Sequence, residues 1–316
     1  MNQQKIKIGV SACLLGQEVR FNGTHKKLPL LTDVLAPLFE YVTTCPEMGA
    51  GMGVPRMPIR LVGDVSNPRA VRVEAPDVDY TDALQGYASM RIPELGDLCG
   101  YVFIKNSPSC GLHRVKVYDE KGMPKPEGRG LFAQALTKAY PLLPVEEDGR
   151  LHDPILRENF ITRVYATHEW RQLCQRGLTA AGIIDFHSRF KYTLMAHAPG
   201  DYAALGQLLA DAGKHDAREF GPRYFADMMR LLERKATRKT NTNVLMHLQG
   251  YLKKQLQSKE KASLSQVVEH YRQGIVPLIV PITLLKHYFS LYPDPYIGKQ
   301  SFLHLYPEQL SLRNAL

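Results

Sequence analysis

The chain has 316 residues, of which 44% are hydrophobic and 22% charged, with a net charge of +9. This composition supplies one large or two medium cores and excludes a disordered or fibrous chain. No apolar run approaches the roughly 18 residues of a membrane span, and the start lacks the apolar core of a secretory signal, so we expect a soluble, cytoplasmic protein without a membrane partner.

The first half alternates short β-rich runs with amphipathic stretches, a pattern that predicts a Rossmann-like α/β domain with a parallel sheet covered by helices. Apolar spacing predicts crossover helices in TDALQGYASMRI and GLFAQALTKAY. The predicted strands are, in chain order, IKIGV (6–10), EYVTT (40–44), AVRVEA (70–75), YVFIK (101–105) and a further one within PLLPV (141–145).

After PVEEDGRLHDP the chain changes character, with Asp153 as a helix N-cap and Pro154 as the first helical residue. Apolar residues then recur at helical spacing almost to the end, which predicts an all-α second half. The predicted helices are ILRENFITRVYATHEWRQLCQ, IIDFHSRFKYTLMAH, YAALGQLLADA, PRYFADMMRLLERKA, NVLMHLQGYLKKQL, LSQVVEHYRQG and PITLLKHYFSLY.

Five cysteines, an odd number, are too few for a disulfide scaffold in a chain of this length, so reduced thiols or metal ligands are expected. Cys13 follows the first predicted strand, Cys45 the second, and Cys110 lies just beyond the fourth. The carboxyl ends of parallel strands line one edge of a sheet, so these three thiols are predicted to converge there. We interpret Cys99 and Cys174 as structural, since free cysteine is commonly a small buried hydrophobe.

Nothing in the chain matches a Cys-x-x-Cys pattern, which disfavours zinc ribbons, thioredoxin-type redox pairs and ferredoxin-type runs. Three thiolates suit a cubane iron–sulfur cluster, in which one iron lacks a protein ligand and is open to act as a Lewis acid. A zinc ion with three protein ligands and an open position is the alternative, and buried structural thiols are the plainer one.

Polar residues beside these cysteines complete a candidate site. Glu47 lies two residues after Cys45, close enough for a general acid or base, although a solvated surface carboxylate is the simpler interpretation. Ser107 and Ser109 precede Cys110 on either side of Pro108. We expect them to hydrogen-bond substrate or cluster sulfur, and the alternative is that they only shape the turn.

The motifs SACLLG, CPEMGAGMGVPRMP and NSPSCG together resemble the thiouracil desulfidase (TudS) family, and FHSRFKYTLMAH, NVLMHLQGYLKK and VPLIVPITLLKHY resemble a YbgA-type helical domain. The resemblance implies a TudS-like domain over 1–150, a connecting helix over 151–175 and a YbgA-like domain over 176–316. It implies a [4Fe-4S] cluster held by Cys13, Cys45 and Cys110, with one open iron. Glu47 and Ser109 take the family's catalytic positions, and Ser107 is assigned to substrate binding.

The fused arrangement is similar to that of tRNA 4-thiouridine desulfidases, which implies that the substrate is tRNA carrying a thiolated uridine. Exchange of sulfur for oxygen by water requires no net electron transfer, so no nicotinamide or flavin cofactor is expected. Members without the second domain tend to carry an acidic residue where Arg60 stands here, which disfavours a free-base substrate for this chain.

The second half is also the basic half. Residues 1–150 hold 18 basic and 17 acidic side chains, whereas residues 151–316 hold 22 and 14. Such an excess predicts a polyanionic partner, which the resemblance makes tRNA, although a solvated basic surface is the plainer interpretation. The residues assigned to phosphate binding are Arg234, Lys235, Arg238, Lys239, Lys253 and Lys254.

Two alternative functions stay open. One is a desulfidase of free 2-thiouracil or another small thiolated compound. The other is a non-catalytic iron–sulfur protein that binds RNA or senses redox state. An open iron beside a carboxylate and a serine favours catalysis, because a sensor needs no open coordination position.

Overall fold

The computed structural model describes residues 5–307, 310 and 312–314. The chain divides into two units, 1–152 and 153–316. No helix within the described residues combines the length and apolar character needed to cross a bilayer. The α/β class of the first unit and the all-α class of the second are both as predicted from the sequence.

The first unit contains eight strands and three α-helices in its described part. The strands are β1 (Ile6–Ser11), β2 (Phe39–Thr44), β3 (Ile59–Val62), β4 (Arg69–Arg72), β5 (Gly100–Phe103), β6 (Val115–Tyr118), β7 (Pro124–Gly128) and β8 (Val145–Glu147). The helices are α1 (Pro46–Gly49), α2 (Thr81–Arg91) and α3 (Leu131–Ala139), so both predicted crossover helices are confirmed.

Four of these strands form a parallel sheet in the order β2-β1-β5-β8. The central strands β1 and β5 are almost wholly buried, as expected for a parallel sheet covered on both faces. Gly9 of β1 lets the ring of Tyr101 lie against the strand, since a Cβ at Gly9 would come within 2.2 Å of that ring. The chain order reverses between β1 and β5, and open parallel sheets bind ligands at the carboxyl end of such a switch point.

The expectation of a single sheet is wrong. AVRVEA was predicted as a strand of the parallel sheet, but β4 pairs antiparallel with β3 in a second sheet of order β4-β3-β6-β7. β7 is also not predicted from the sequence, because its segment PKPEG contains two prolines, which disfavour a strand. The strand forms because β7 lies at the edge of the sheet, where proline is tolerated. The second sheet packs through a separate apolar cluster. PLLPV contributes only Val145 to β8.

The second unit is helical throughout its described part, and all seven predicted helices are present. They are α4 (Pro154–Arg176), α5 (Ala180–His197), α6 (Tyr202–Ala210), α7 (Ala217–Glu233), α8 (Arg238–Tyr251), α9 (Ser258–Gln273) and α10 (Ile279–Leu291), followed by the short α11 (Ser301–His304). Asp153 caps α4 by accepting from the amides of Ile155 and Leu156, as predicted. Helix α7 starts five residues before the predicted Pro222, because Asp216 caps it.

Candidate active site

The three thiols of the predicted trio line one cavity at the carboxyl end of the parallel sheet. The cavity has a volume of about 480 Å³. It lies where β1, β2 and β5 end, at the switch in strand order. Its walls include Ser11, Cys13, Arg20, Phe21, Lys26, Thr44, Cys45, Glu47, Arg56, Lys105, Asn106, Ser107 and Cys110. Cys99 and Cys174, which the sequence analysis set aside as structural, are not among the lining residues.

Cys13 and Cys45 are presented by the short turns that follow β1 and β2. Cys13 lies in a single 3-10 turn closed by Gly16, whose φ of 91° is the left-handed conformation that glycine tolerates best. Its carbonyl accepts from the amides of Gly16 (3.3 Å) and Lys26 (2.9 Å). Cys45 stands at the N-cap of α1, and Pro46 begins that helix.

Cys110 is held by a loop that rests on the first turn of α3. The Ser107 hydroxyl oxygen accepts from the amides of Ser109 (3.2 Å) and Cys110 (3.1 Å), so Ser107 shapes the turn while its side chain lines the cavity. The amide of Phe132 in α3 donates to the Ser109 carbonyl at 2.9 Å. Gly130 makes this contact possible, because a Cβ there would lie 2.5 Å from the Ser109 backbone.

Burial raises the pKa of all three thiols. The pKa of Cys13 rises to about 12, first because of burial and then because of the nearby Cys45 thiol. Burial is also the main reason why the pKa of Cys45 is raised and that of Cys110 lies well above its ordinary range. These thiols therefore stay protonated at neutral pH unless a bound cation stabilises the thiolate form.

The three thiols suit an iron–sulfur cluster as a donor set. Across the described ranges, no three His, Cys, Asp or Glu side chains are grouped so that they could hold one metal ion. A cluster makes a different demand, since each thiolate binds its own iron. Thr44 lines this cavity, and its buried hydroxyl, beside that of Tyr101, is a suitable donor to a cluster sulfide.

Glu47 lies in the first turn of α1 and is anchored at both carboxylate oxygens. Oε2 accepts from Nε (2.8 Å) and Nη2 of Arg56, and Oε1 accepts from the Ser109 hydroxyl at 2.9 Å. The Arg56 guanidinium also donates to the carbonyls of Val19 (2.9 Å) and Gly53 (2.8 Å). Glu47 is therefore a fixed carboxylate at the cavity wall and not a solvated surface group.

Ser109 is fully buried and does not line the cavity. Its hydroxyl contacts Glu47 at the cavity wall. This geometry lets Ser109 position the carboxylate, and its catalytic role stays a prediction.

Sequence reasoning missed several residues of this cavity, above all Arg56 and Phe21. Arg56 was visible only as part of the PRMP segment, and its pairing with Glu47 depends on the turn that brings them together. Phe21 lies at the rim and is 40% exposed, a large fraction for a phenylalanine. An aromatic ring beside an open cavity suits a planar ligand. Three further basic side chains line the walls, namely Arg20, Lys26 and Lys105, of which Lys26 pairs with Asp148 at 2.8 Å.

The basic residues predicted to bind phosphate in the second unit differ in whether other residues already pair with their charges. Arg234 forms an ion pair with Asp201, and Arg238 donates to the Tyr271 carbonyl at 3.1 Å while its guanidinium lies over the Tyr271 ring. Four lysines are exposed, and none of them forms an ion pair among the residues that the structure describes: Lys235, Lys239, Lys253 and Lys254. They lie near the two ends of the 14-residue helix α8, which is about 20 Å long.

Two family models match separate parts of the chain. The model described as 2-thiouracil desulfurase matches residues 8–148, and the model described as a protein of unknown function, DUF1722, matches residues 191–307. The resemblance seen in the motifs is thereby confirmed for both units.

Two curated relatives and one solved structure match parts of the chain. The uncharacterized protein YbgA of Escherichia coli (strain K12) is 34% identical over 159 residues, which is 50% of this chain and 94% of YbgA. The uncharacterized protein YbbK of Bacillus subtilis (strain 168) is 34% identical over 111 residues, 32% of this chain and 71% of YbbK. A solved structure of the [4Fe-4S]-dependent thiouracil desulfidase TudS is 27% identical, with a TM-score of 0.39, and the match covers 47% of this chain and 95% of that one. The chain belongs to the same family as YbgA and YbbK, with a region over 8–148 that matches the 2-thiouracil desulfurase model and a DUF1722 region over 191–307 behind it.

Proposed function

We propose that this protein removes the thiocarbonyl sulfur of a thiolated uridine in tRNA, with 4-thiouridine as the substrate, and that it uses a [4Fe-4S] cluster held by Cys13, Cys45 and Cys110. The match of residues 8–148 to the 2-thiouracil desulfurase model supports desulfidase chemistry on a thiolated pyrimidine. The observation that carries the proposal is the cavity in which the three thiols and the anchored carboxylate of Glu47 face the same space.

The overall reaction exchanges one sulfur for one oxygen. Water forms a bond from its oxygen to the ring carbon, the carbon–sulfur bond breaks, and the sulfur leaves as sulfide with the two protons of the water. No electron is gained or lost, so no redox partner is required. When bound, the cluster supplies an open iron that acts as a Lewis acid toward a soft thiocarbonyl sulfur.

Glu47 is the group placed to move protons. Oε2 accepts twice from the Arg56 guanidinium, whereas Oε1 accepts only from the Ser109 hydroxyl among the residues that the structure describes. A carboxylate oxygen has two acceptor positions, so Oε1 keeps one for a proton of the attacking water. Arg56 and Ser109 hold the carboxylate in place, which reduces the reorganisation needed when the proton moves.

Phe21 and the basic wall support a nucleotide as the ligand. A pyrimidine that enters the cavity passes the exposed ring of Phe21, on which it can stack. Arg20 and Lys105 offer positive charge to the sugar-phosphate that follows the base. A base buried in folded tRNA has to leave its stack to reach such a cavity, as enzymes acting on nucleobases generally require.

The second unit supports tRNA as the polyanion. Its four exposed lysines near the ends of α8 are free to contact phosphates, which provide affinity without sequence information. We therefore assign Lys235, Lys239, Lys253 and Lys254 to tRNA binding, and we give Arg234 and Arg238 a smaller share because Asp201 and the Tyr271 carbonyl already engage them.

The test is anaerobic purification with iron–sulfur reconstitution, followed by incubation with bulk bacterial tRNA and analysis of its nucleosides. We expect 4-thiouridine to be lost and an equal amount of uridine to appear. Cys13→Ala should abolish both the bound iron and the activity, while Cys174→Ala, a cysteine outside the cavity, should keep both. A fully loaded protein that leaves every thiolated nucleoside of the tRNA intact contradicts the proposal, and turnover of free 2-thiouracil by that sample would establish the small-molecule alternative.

A further inference from the structure

A second groove adjoins the active-site cavity. It has a volume of about 320 Å³ and shares Ile59, Asn106 and Pro108 with the cavity that holds the thiols. Its remaining walls come from β3, β6 and the turn before β6, within the second sheet that the sequence analysis did not predict. The groove and the cavity are therefore neighbours that share part of their walls.

The groove is lined by three basic side chains, Arg60, Arg114 and Lys116, and its described lining contains no acidic residue. None of the three forms an ion pair within the described part of the chain. The Nε of Arg60 is buried and has no hydrogen-bond partner there, and its guanidinium lies 5.1 Å from the centre of the Tyr118 ring. This guanidinium thus lies over an aromatic ring, and its buried Nε is an unused donor among the described residues.

The strand register places two of these charges side by side. β3 and β6 are parallel, with Leu61 opposite Val117 and both of these side chains buried. Arg60 and Lys116 each come one residue earlier, so they share the other face of the sheet on adjacent strands. Like charges in that arrangement destabilise a sheet unless an anion lies between them. Arg114 adds a third charge from a residue with φ of 54°, a left-handed conformation that is uncommon for arginine.

We propose that this groove binds the phosphodiester backbone of the RNA strand next to the thiolated nucleotide. The inference rests on the proposed function, because it takes the adjoining cavity to be the place where the base reacts. Guanidinium groups bind phosphate oxygens through paired donors, and three cations line this groove beside the cavity. With this groove, the desulfurase unit itself favours a polynucleotide over a free base, and the lysines of the second unit add to this preference.

The test uses the full chain and a short single-stranded RNA with one central 4-thiouridine, beside the free nucleoside 4-thiouridine. In the double variant Arg60→Gln/Lys116→Gln, we expect RNA binding to weaken at least about tenfold, measured by fluorescence anisotropy. The slope of log K against log salt should fall by about 1.4, since each phosphate contact to a single strand contributes about 0.7. The ratio of kcat/KM for the RNA to that for the nucleoside should fall by a similar factor.

Two further variants make the result specific. Lys125→Gln removes one charge from β7, at an exposed position opposite Val117, and should leave RNA binding and the kcat/KM ratio unchanged. Arg60→Lys/Lys116→Arg keeps the charge and should keep most of the affinity and the salt slope, which provides a folded comparison where the glutamine variant unfolds.

The outcomes separate this inference from the proposed function. Wild-type turnover of the RNA together with an unchanged Kd and salt slope in Arg60→Gln/Lys116→Gln overturns the groove and leaves the desulfidase proposal standing. If this variant loses RNA affinity and salt slope while the wild-type protein removes no sulfur, the groove is supported and the desulfidase proposal is overturned.

Discussion

The pairing of Glu47 with Arg56 predicts that Glu47→Gln lowers the free energy of unfolding of the wild-type protein but raises that of the Arg56→Gln variant. The Arg56 side chain is 6% exposed and that of Glu47 is 14% exposed, so neither charge is well solvated. Removing one partner of such a pair leaves the other charge buried and uncompensated, which typically costs about 3–5 kcal/mol. We therefore consider Glu47→Gln, Arg56→Gln and the double variant as a thermodynamic cycle.

The two single substitutions are not equivalent. Arg56→Gln removes every donor to Oε2 and also the bonds to the Val19 and Gly53 carbonyls, so we expect the full cost of about 3–5 kcal/mol. Glu47→Gln leaves the guanidinium with those two carbonyl acceptors, so we expect a smaller cost of about 1–3 kcal/mol. In the Arg56→Gln background, Glu47→Gln should raise the free energy of unfolding, because it removes an unpaired buried carboxylate.

The assay is amide hydrogen exchange in urea, read on peptides that cover β1 and β5, the strands beside the site. The pair Lys7–Asp97 provides a matched control, since its side chains are 35% and 56% exposed and an exposed pair couples by less than about 1 kcal/mol. If Glu47→Gln lowers the free energy of unfolding by the same amount with and without Arg56, the pair is not coupled and the account of an anchored carboxylate is wrong.

Three further results are expected. In urea unfolding, Gly130→Ala should lower the free energy of unfolding by about 1–3 kcal/mol and also lower iron retention, because its Cβ would lie 2.5 Å from the backbone of Ser109, just before Cys110. The control Gly86→Ala lies in open space on helix α2 and should raise the free energy of unfolding. Burial and then a nearby lysine lower the pKa of His187 from 6.5 to about 4, so His187 is neutral in the folded unit. The unfolded chain therefore binds more protons between those pH values, and about 3 kcal/mol of the free energy of unfolding should be lost as pH falls from 6.5 to 4. Unfolding monitored by Trp170 fluorescence should show a smaller loss in His187→Gln. Phe21→Ala should lower kcat/KM on thiolated RNA roughly 5- to 100-fold through lost stacking, and Phe21→Trp should largely restore it; equal rates for the alanine variant and the wild type would remove Phe21 from recognition.

Local patterns in the sequence were sufficient for much of the architecture. The seven helices of the second half follow from apolar residues at helical spacing, and the start of α4 follows from Asp153 and Pro154. The second sheet was missed for equally local reasons. Its strands β3 and β6 are four residues long, too short for a clear alternation, and β7 contains prolines.

The sequence by itself determined the two fold classes and the convergence of Cys13, Cys45 and Cys110. Both follow from short-range periodicity and from the rule that parallel strands share one carboxyl edge. Only the tertiary structure decided what surrounds these thiols: that Arg56 holds Glu47, that Ser109 faces this carboxylate and not the cavity, and that Arg60 and Lys116 lie side by side in a groove next to it. The physical reason is that such contacts join residues distant in the chain, and their geometry depends on turns and strand register that no single segment specifies.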